Sequence, residues 1–178
     1  MFFHIITYIF LIIICVQDFR HRQVTWFLFP LVLSSLVLSN NELYNLRIIL
    51  ENWFYNIILI IVFLSVLLIT FWLKYLLINR NKELNGKMQI ILKKMFSEKL
   101  GIGDVLFFVV AATMFSPINF IIYLTGSFLL ILLITALGKT LKNRTIPLAG
   151  YMACILLIIH LLCNLILHKN LYSNLNIL

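Results

Sequence analysis

Long blocks of almost unbroken apolar residues alternate along this chain with short segments that carry its charge. Blocks of about 20 apolar residues match the thickness of a bilayer core. They predict helices near residues 2–17, 26–38, 53–78, 103–115, 119–137 and 146–167. The expected fold is therefore all-α, a polytopic membrane protein with about six transmembrane helices. No internal repeat, low-complexity tract or long linker divides the chain, so residues 1–178 form one expected membrane-embedded domain.

The positions of the charges orient these helices. The first block has no positive residue before it, Arg20 and Arg22 after it, and no Ala-x-Ala-like cleavage site, which predicts a retained helix with its N-terminus outside. Arg20 and Arg22, then Arg80, Lys82, Lys87, Lys93, Lys94 and Lys99, then Lys139, Lys142 and Arg144 would then share the cytoplasmic side. These are 11 of the 14 Lys and Arg residues, as the positive-inside rule demands. Residues 84–100 place Leu84, Met88, Ile91, Leu92 and Met95 at helical spacing among Lys87, Lys93 and Lys94, the pattern of an interfacial amphipathic helix. The outer loop 39–52, with Glu42, Arg47 and Glu51, suggests nothing specific.

Composition excludes a soluble domain: 63% of residues are hydrophobic, 11% are charged, and the mean hydropathy is +1.07. The net charge of +8 suits basic loops facing anionic lipid and carries no nucleic-acid signature. Cys15, Cys154 and Cys163 lie in apolar runs without CxxC spacing. They read as three buried apolar cysteines and predict neither a zinc site nor a redox pair.

The chain has only two aspartates, Asp18 and Asp104, and each stands where an apolar block meets positive charge. A charged group at the centre of a membrane helix costs roughly 2.5–3.5 kcal/mol on insertion scales and is usually functional. Asp104 closes Gly101-Ile102-Gly103-Asp104 and heads a segment of about 13 residues, near 20 Å of helix, too short for a 30 Å core. Pro117 blocks its easy extension, so the helix must begin below the surface, sit in thinned bilayer or be shielded by neighbours. Gly101 and Gly103 permit an unusual turn or a close approach; the plain alternative is a loop followed by an Asp N-cap. Asp18 could simply pair with Arg20 or Arg22. The topology nevertheless brings both aspartates to one depth on the cytoplasmic side, where two carboxylates can share a proton and activate water. His4 and His168 lie near the outer face, His160 within the last helix and His21 in a basic turn, so all four read as interfacial or packed.

These residues resemble the type IV prepilin peptidases and the related preflagellin peptidases. The family's first motif is similar to Asp18-Phe19-Arg20-His21-Arg22-Gln23-Val24-Thr25-Trp26, with Thr25 and Trp26 in place of Pro and Asn. Its Gly-x-Gly-Asp is matched in full by Gly101 to Asp104. A weaker third similarity is Ile146-Pro147-Leu148-Ala149-Gly150-Tyr151. Leu106 stands where the family commonly has Lys. The resemblance implies an intramembrane aspartic endopeptidase that removes basic leader peptides from prepilin-like membrane substrates at the cytoplasmic face of the inner membrane. It implies Asp18 and Asp104 as the catalytic pair, Gly101, Gly103 and Pro147 as shapers of the peptide-receiving loop, and no metal or organic cofactor. The chain opens directly in its first helix, so the paired-cysteine extension tied to N-methylation is not expected.

The competing expectation is a non-enzymatic transporter or assembly scaffold whose aspartates bind a proton or cation. Presenilin-like proteins share Gly-x-Gly-Asp, but their first aspartate follows Tyr, whereas Gln17 precedes Asp18. The peptidase reading predicts carboxyl groups about 4–7 Å apart, within reach of one water. Helix dipoles then favour the charge on Asp104, at a helix N-terminus, and the proton on Asp18, at a C-terminus.

Overall fold

A computed structural model describes residues 2–41, 44–78, 101–137 and 147–163. These fold into α1 (Phe2–His21), α2 (Leu28–Asn41), α3 (Leu46–Ile78), α4 (Ile102–Ala111) with a 3-10 turn at Ala112–Met114, α5 (Pro117–Leu137) and α6 (Leu148–Leu161). Among the described residues there is no strand. Three helical stretches are long and apolar enough to cross a membrane: Phe2–His21, Leu46–Thr70 and Pro117–Ala136. The helices α2, α4 with its 3-10 turn, and α6 are apolar but shorter. The basic segments around Arg80 to Lys99 and Lys139 to Arg144, the amphipathic stretch 84–100, Ile146 and His168 lie outside the described residues.

The outer surface is apolar, unlike that of a water-soluble bundle, around a core that is itself largely apolar. α5 exposes Leu129, Leu132 and Leu133 while burying Ser127 and Tyr123, whose hydroxyl donates to the Met152 carbonyl of α6 at 2.9 Å. Outward leucines suit lipid, and the Tyr123 hydroxyl finds its acceptor inside the bundle instead of standing unpaired in hydrocarbon. Eight Ser, Thr and Asn residues lie inside, Thr7, Ser35, Ser39, Asn40, Asn56, Thr113, Ser116 and Ser127, whereas Ser34, Ser65, Thr70 and Thr125 face outward and bond to carbonyls of their own helices.

Several helix ends differ from the sequence expectation. α3 starts at Leu46, seven residues before the expected 53, so most of the expected outer loop is helical. Arg47 and Glu51 pair one turn apart at 2.8 Å, Asn45 Oδ1 accepts the Arg47 N–H at 3.4 Å, and Ile49 is fully buried. Charged residues there had suggested a loop, although at i,i+4 spacing they support a helix. α5 starts at Pro117, where a proline is tolerated because the first helical N–H has no intrahelical acceptor anyway.

α4 is the centre of the assembly. Its ten residues span only about 15 Å. The short helix is shielded by its neighbours: Phe107, Phe108 and every residue from Val110 to Ser116 are buried, against α2, α3 and α6. Side chains from α2 and α3 cap its far end. Asn56 Nδ2 donates to the carbonyls of Ala112 and Phe115, both at 2.8 Å, Asn40 Nδ2 to that of Thr113 at 3.2 Å, and Trp53 Nε1 to that of Val109 at 3.1 Å.

The cysteines correct the sequence reading. α1 packs along α6 and joins Cys15 to Cys154 in a disulfide, with Cα atoms 6.1 Å apart, and Cys163 alone is free. Local spacing could not reveal a pair separated by 139 residues and created only by helix packing.

Candidate active site

Asp18 lies inside the last turn of α1, because that helix runs on to His21, and it is 6% exposed. The turn is closed by Arg22, whose N–H donates to the Asp18 carbonyl at 2.9 Å. Arg22 has φ 55°, the left-handed cap conformation more usual for glycine. The chain then folds back on itself. Gln17 Oε1 accepts both the N–H and the hydroxyl of Thr25, at 3.2 and 3.1 Å. A proline at position 25 would have no N–H to donate, so Thr25 ties the turn to the neighbour of Asp18.

Asp104 is the third residue of α4. Its Oδ2 accepts the Gly101 N–H at 2.9 Å while the Gly101 carbonyl accepts the Asp104 N–H at 3.0 Å, a reciprocal cap. Its Oδ1 reaches another helix and accepts the Ala149 N–H of α6 at 2.9 Å. The next amide along α6, Gly150 N–H, donates to Asp18 Oδ2 at 2.5 Å.

One helix N-terminus therefore holds both carboxylates. The first amides of a helix have no intrahelical acceptor, and Pro147, at the N-cap of α6, makes no side-chain cap bond. The vacant acceptor positions are filled by Asp104 and Asp18, brought in by α4 and α1. Consecutive helical amide nitrogens lie about 3 Å apart, so the engaged oxygens of the two aspartates are within about 8 Å of each other. Arg22 supplies an opposing charge to Asp18. The dipole argument made from sequence counted only the helix each aspartate belongs to, whereas the positive end of α6 faces both.

The glycines divide into two kinds. Gly101 is extended, at φ −70° and ψ 150°, a conformation open to any residue, although a Cβ there would lie 3.3 Å from Asp104 Oδ2. Gly103 is in the regular first turn of α4, where a Cβ would meet only Phe29 Cζ at 3.9 Å. The tight position is Gly150, where a Cβ would lie 3.1 Å from both Cβ and Oδ2 of Asp18. Beside it Phe19 packs edge-on against Tyr151, with ring centroids 4.8 Å apart, closing the seam between α1 and α6.

Among the described residues no group of three or more His, Cys, Asp or Glu gathers as metal ligands. His160 is buried against the rings of His4 and Tyr8, at centroid distances of 5.1–5.4 Å. Positions 4 and 18 of one helix are about 20 Å apart in rise, so this cluster is remote from the aspartates. Leu106 is exposed.

The sequence reading had singled out Pro147 but not Ala149, Gly150 or Gln17, which contact the aspartates or their flanking turn. Backbone donors carry no side-chain signature. The one available signal was a proline at a helix start with two small residues, Ala149 and Gly150, beginning two positions later. Comparison of the chain with protein-family models, curated proteins and solved structures gives no match.

Proposed function

We propose that the chain is a multi-pass membrane aspartic endopeptidase acting through Asp18 and Asp104. The observation that carries this reading is the pair of adjacent amides, Ala149 and Gly150, each holding one carboxylate. Two acidic groups from helices 86 positions apart, gathered at one partly buried point, are the minimum apparatus for general acid–base hydrolysis. Both oxygens of Asp104 are engaged by backbone donors, whereas Asp18 is engaged through Oδ2. Asp104 is accordingly assigned as the carboxylate and Asp18 as the proton donor.

In the reaction water bonds to the scissile carbonyl carbon as one of its protons passes to Asp104, and Asp18 gives its proton to the carbonyl oxygen. Collapse of the tetrahedral intermediate breaks the C–N bond. The leaving nitrogen takes the proton from Asp104, and the carbonyl oxygen returns its proton to Asp18. The resemblance points to prepilin-like substrates, with a short basic leader ending in Gly before an apolar helix, cleaved at the cytoplasmic face of the inner membrane. Six spans, with the basic loops inside, is the topology that goes with this reading.

The transporter alternative requires polar side chains along an internal path. Asn40, Asn56 and Trp53 instead donate to carbonyls at the far end of α4, which favours hydrolysis over transport. The test is incubation of purified protein in detergent with prepilin-type peptides, followed by mass analysis. One cut after the leader glycine, lost in Asp18→Asn and in Asp104→Asn, supports the proposal. An uncut panel, or a cut retained in either variant, overturns it.

A further inference from the structure

Gly150 is the point at which α6 touches Asp18, and two separate features meet there. Its N–H donates to Asp18 Oδ2. Its Cα also lacks a side chain where one has no room, because a Cβ would lie 3.1 Å from Asp18 Cβ and Oδ2 and 3.5 Å from Cγ. Contacts of 3.1 Å are tighter than ordinary van der Waals separation. The crowding atoms are not all the free end of a flexible chain: Asp18 Cβ is fixed by the backbone of α1. That backbone is itself held to α6 by the Cys15–Cys154 disulfide one turn away, so α1 cannot simply recede.

We propose that Gly150 is a positioning residue that sets Asp18 beside Asp104. Its bare Cα admits the Asp18 side chain against α6, and its amide fixes which oxygen faces inward. Ala149 does the same for Asp104 through its own N–H, and that residue already carries a Cβ. The constraint on residue type thus falls on Gly150 alone of the two. Glycine inside a helix costs roughly 0.5–1 kcal/mol relative to alanine, so Gly150→Ala would stabilise a helix with open space around it. The same change at Gly126, where no atom lies within 4 Å of the added methyl, is the matched control.

The proposal rests on the peptidase reading for its catalytic arm and on geometry alone for its folding arm. In the folding arm, Gly150→Ala, Asp18→Gly and the double variant are compared by thermal unfolding in detergent. Asp18→Gly removes all three crowding atoms. Gly150→Ala should lower Tm by several degrees in the native chain and by less than half as much in the Asp18→Gly background, while Gly126→Ala leaves Tm unchanged or raised. Equal shifts in both backgrounds would overturn the proposal, because coupling between contacting residues would be absent. In the catalytic arm, Gly150→Ala should lower kcat on a prepilin-type peptide about a hundredfold, the scale of an ångström-level misplacement, with KM within about twofold and Gly126→Ala at native rate. A variant that folds and cleaves at native rate would also overturn it. Coupled unfolding in a protein that cleaves none of the peptides retains Gly150 as the residue that sets Asp18 and rejects the peptidase reading instead.

Discussion

Replacing each aspartate by asparagine removes an acidic group and changes nearly no volume, yet the two changes are expected to differ in their effect on stability. Asp104 accepts one backbone N–H on each oxygen, from Gly101 and from Ala149. Asparagine offers one acceptor oxygen and one NH₂ donor, so it can serve only one of those amides. The favourable rotamer keeps its oxygen on the half-buried Ala149 N–H and turns the NH₂ toward Gly101, whose amide is exposed and is satisfied by water. The loss is one charged cap at a helix start, about 1–2 kcal/mol. Asp18 is engaged through one oxygen, which the asparagine carbonyl can replace. The expected cost of Asp18→Asn is therefore less than about 1 kcal/mol, a modest change in one hydrogen bond. Reversible denaturant unfolding of both variants in one detergent would measure this. A cost for Asp18→Asn equal to or above that for Asp104→Asn would refute the assignment of two amides to Asp104 and one to Asp18.

Three further outcomes follow from the same geometry. Asn56→Leu leaves the Ala112 and Phe115 carbonyls without their donor and removes the unpartnered Asn56 Oδ1; one additional orphan group costs about 1–3 kcal/mol, and an unfolding free energy equal to native would contradict the cap at the end of α4. A polyethylene-glycol maleimide added to the denatured, unreduced chain should attach once, at Cys163, and three times after reduction; two or more attachments before reduction would exclude the Cys15–Cys154 bond. In a Cys163→Ser background, Lys87→Cys should resist an impermeant maleimide applied outside intact cells; ready labelling would reverse the proposed orientation.

The helical class was legible in the sequence because a membrane helix is specified by composition over a long window, and no partner is needed to recognise it. The two aspartates were legible for a related reason: in a chain this apolar, a carboxylate is conspicuous. What could not be read was anything that depends on packing partners. α2 and α3 meet across a shorter loop than expected because the Arg47–Glu51 pair and the burial of Ile49 extend α3, and only the first of these is local. The Cys15–Cys154 bond depends on the register of α1 against α6. The role of Gly150 depends on the same register, since a glycine after Pro147 looks identical whether it faces lipid or a carboxylate. Thr25 was visible as a departure from the family motif, but its bonds to Gln17 appear only once the turn at Arg22 brings the chain back on itself.

Two acidic groups within about 8 Å of each other repel whenever both are charged, and the fold has to offset that. Three backbone amides, from Gly101, Ala149 and Gly150, point at them, and Arg22 adds one opposing charge. Amides fixed at a helix start do not reorganise when charge moves, which gives preorganised donors their strength in a site with little water. The same arrangement explains why α4 can be short. Its N-terminus is completed by Asp104 and Gly101, and the carbonyls toward its far end by Asn40, Asn56 and Trp53, so both ends find partners within the fold. The short, doubly capped helix holds Asp104 beside the turn of α1 that carries Asp18, and the start of α6 bridges the two.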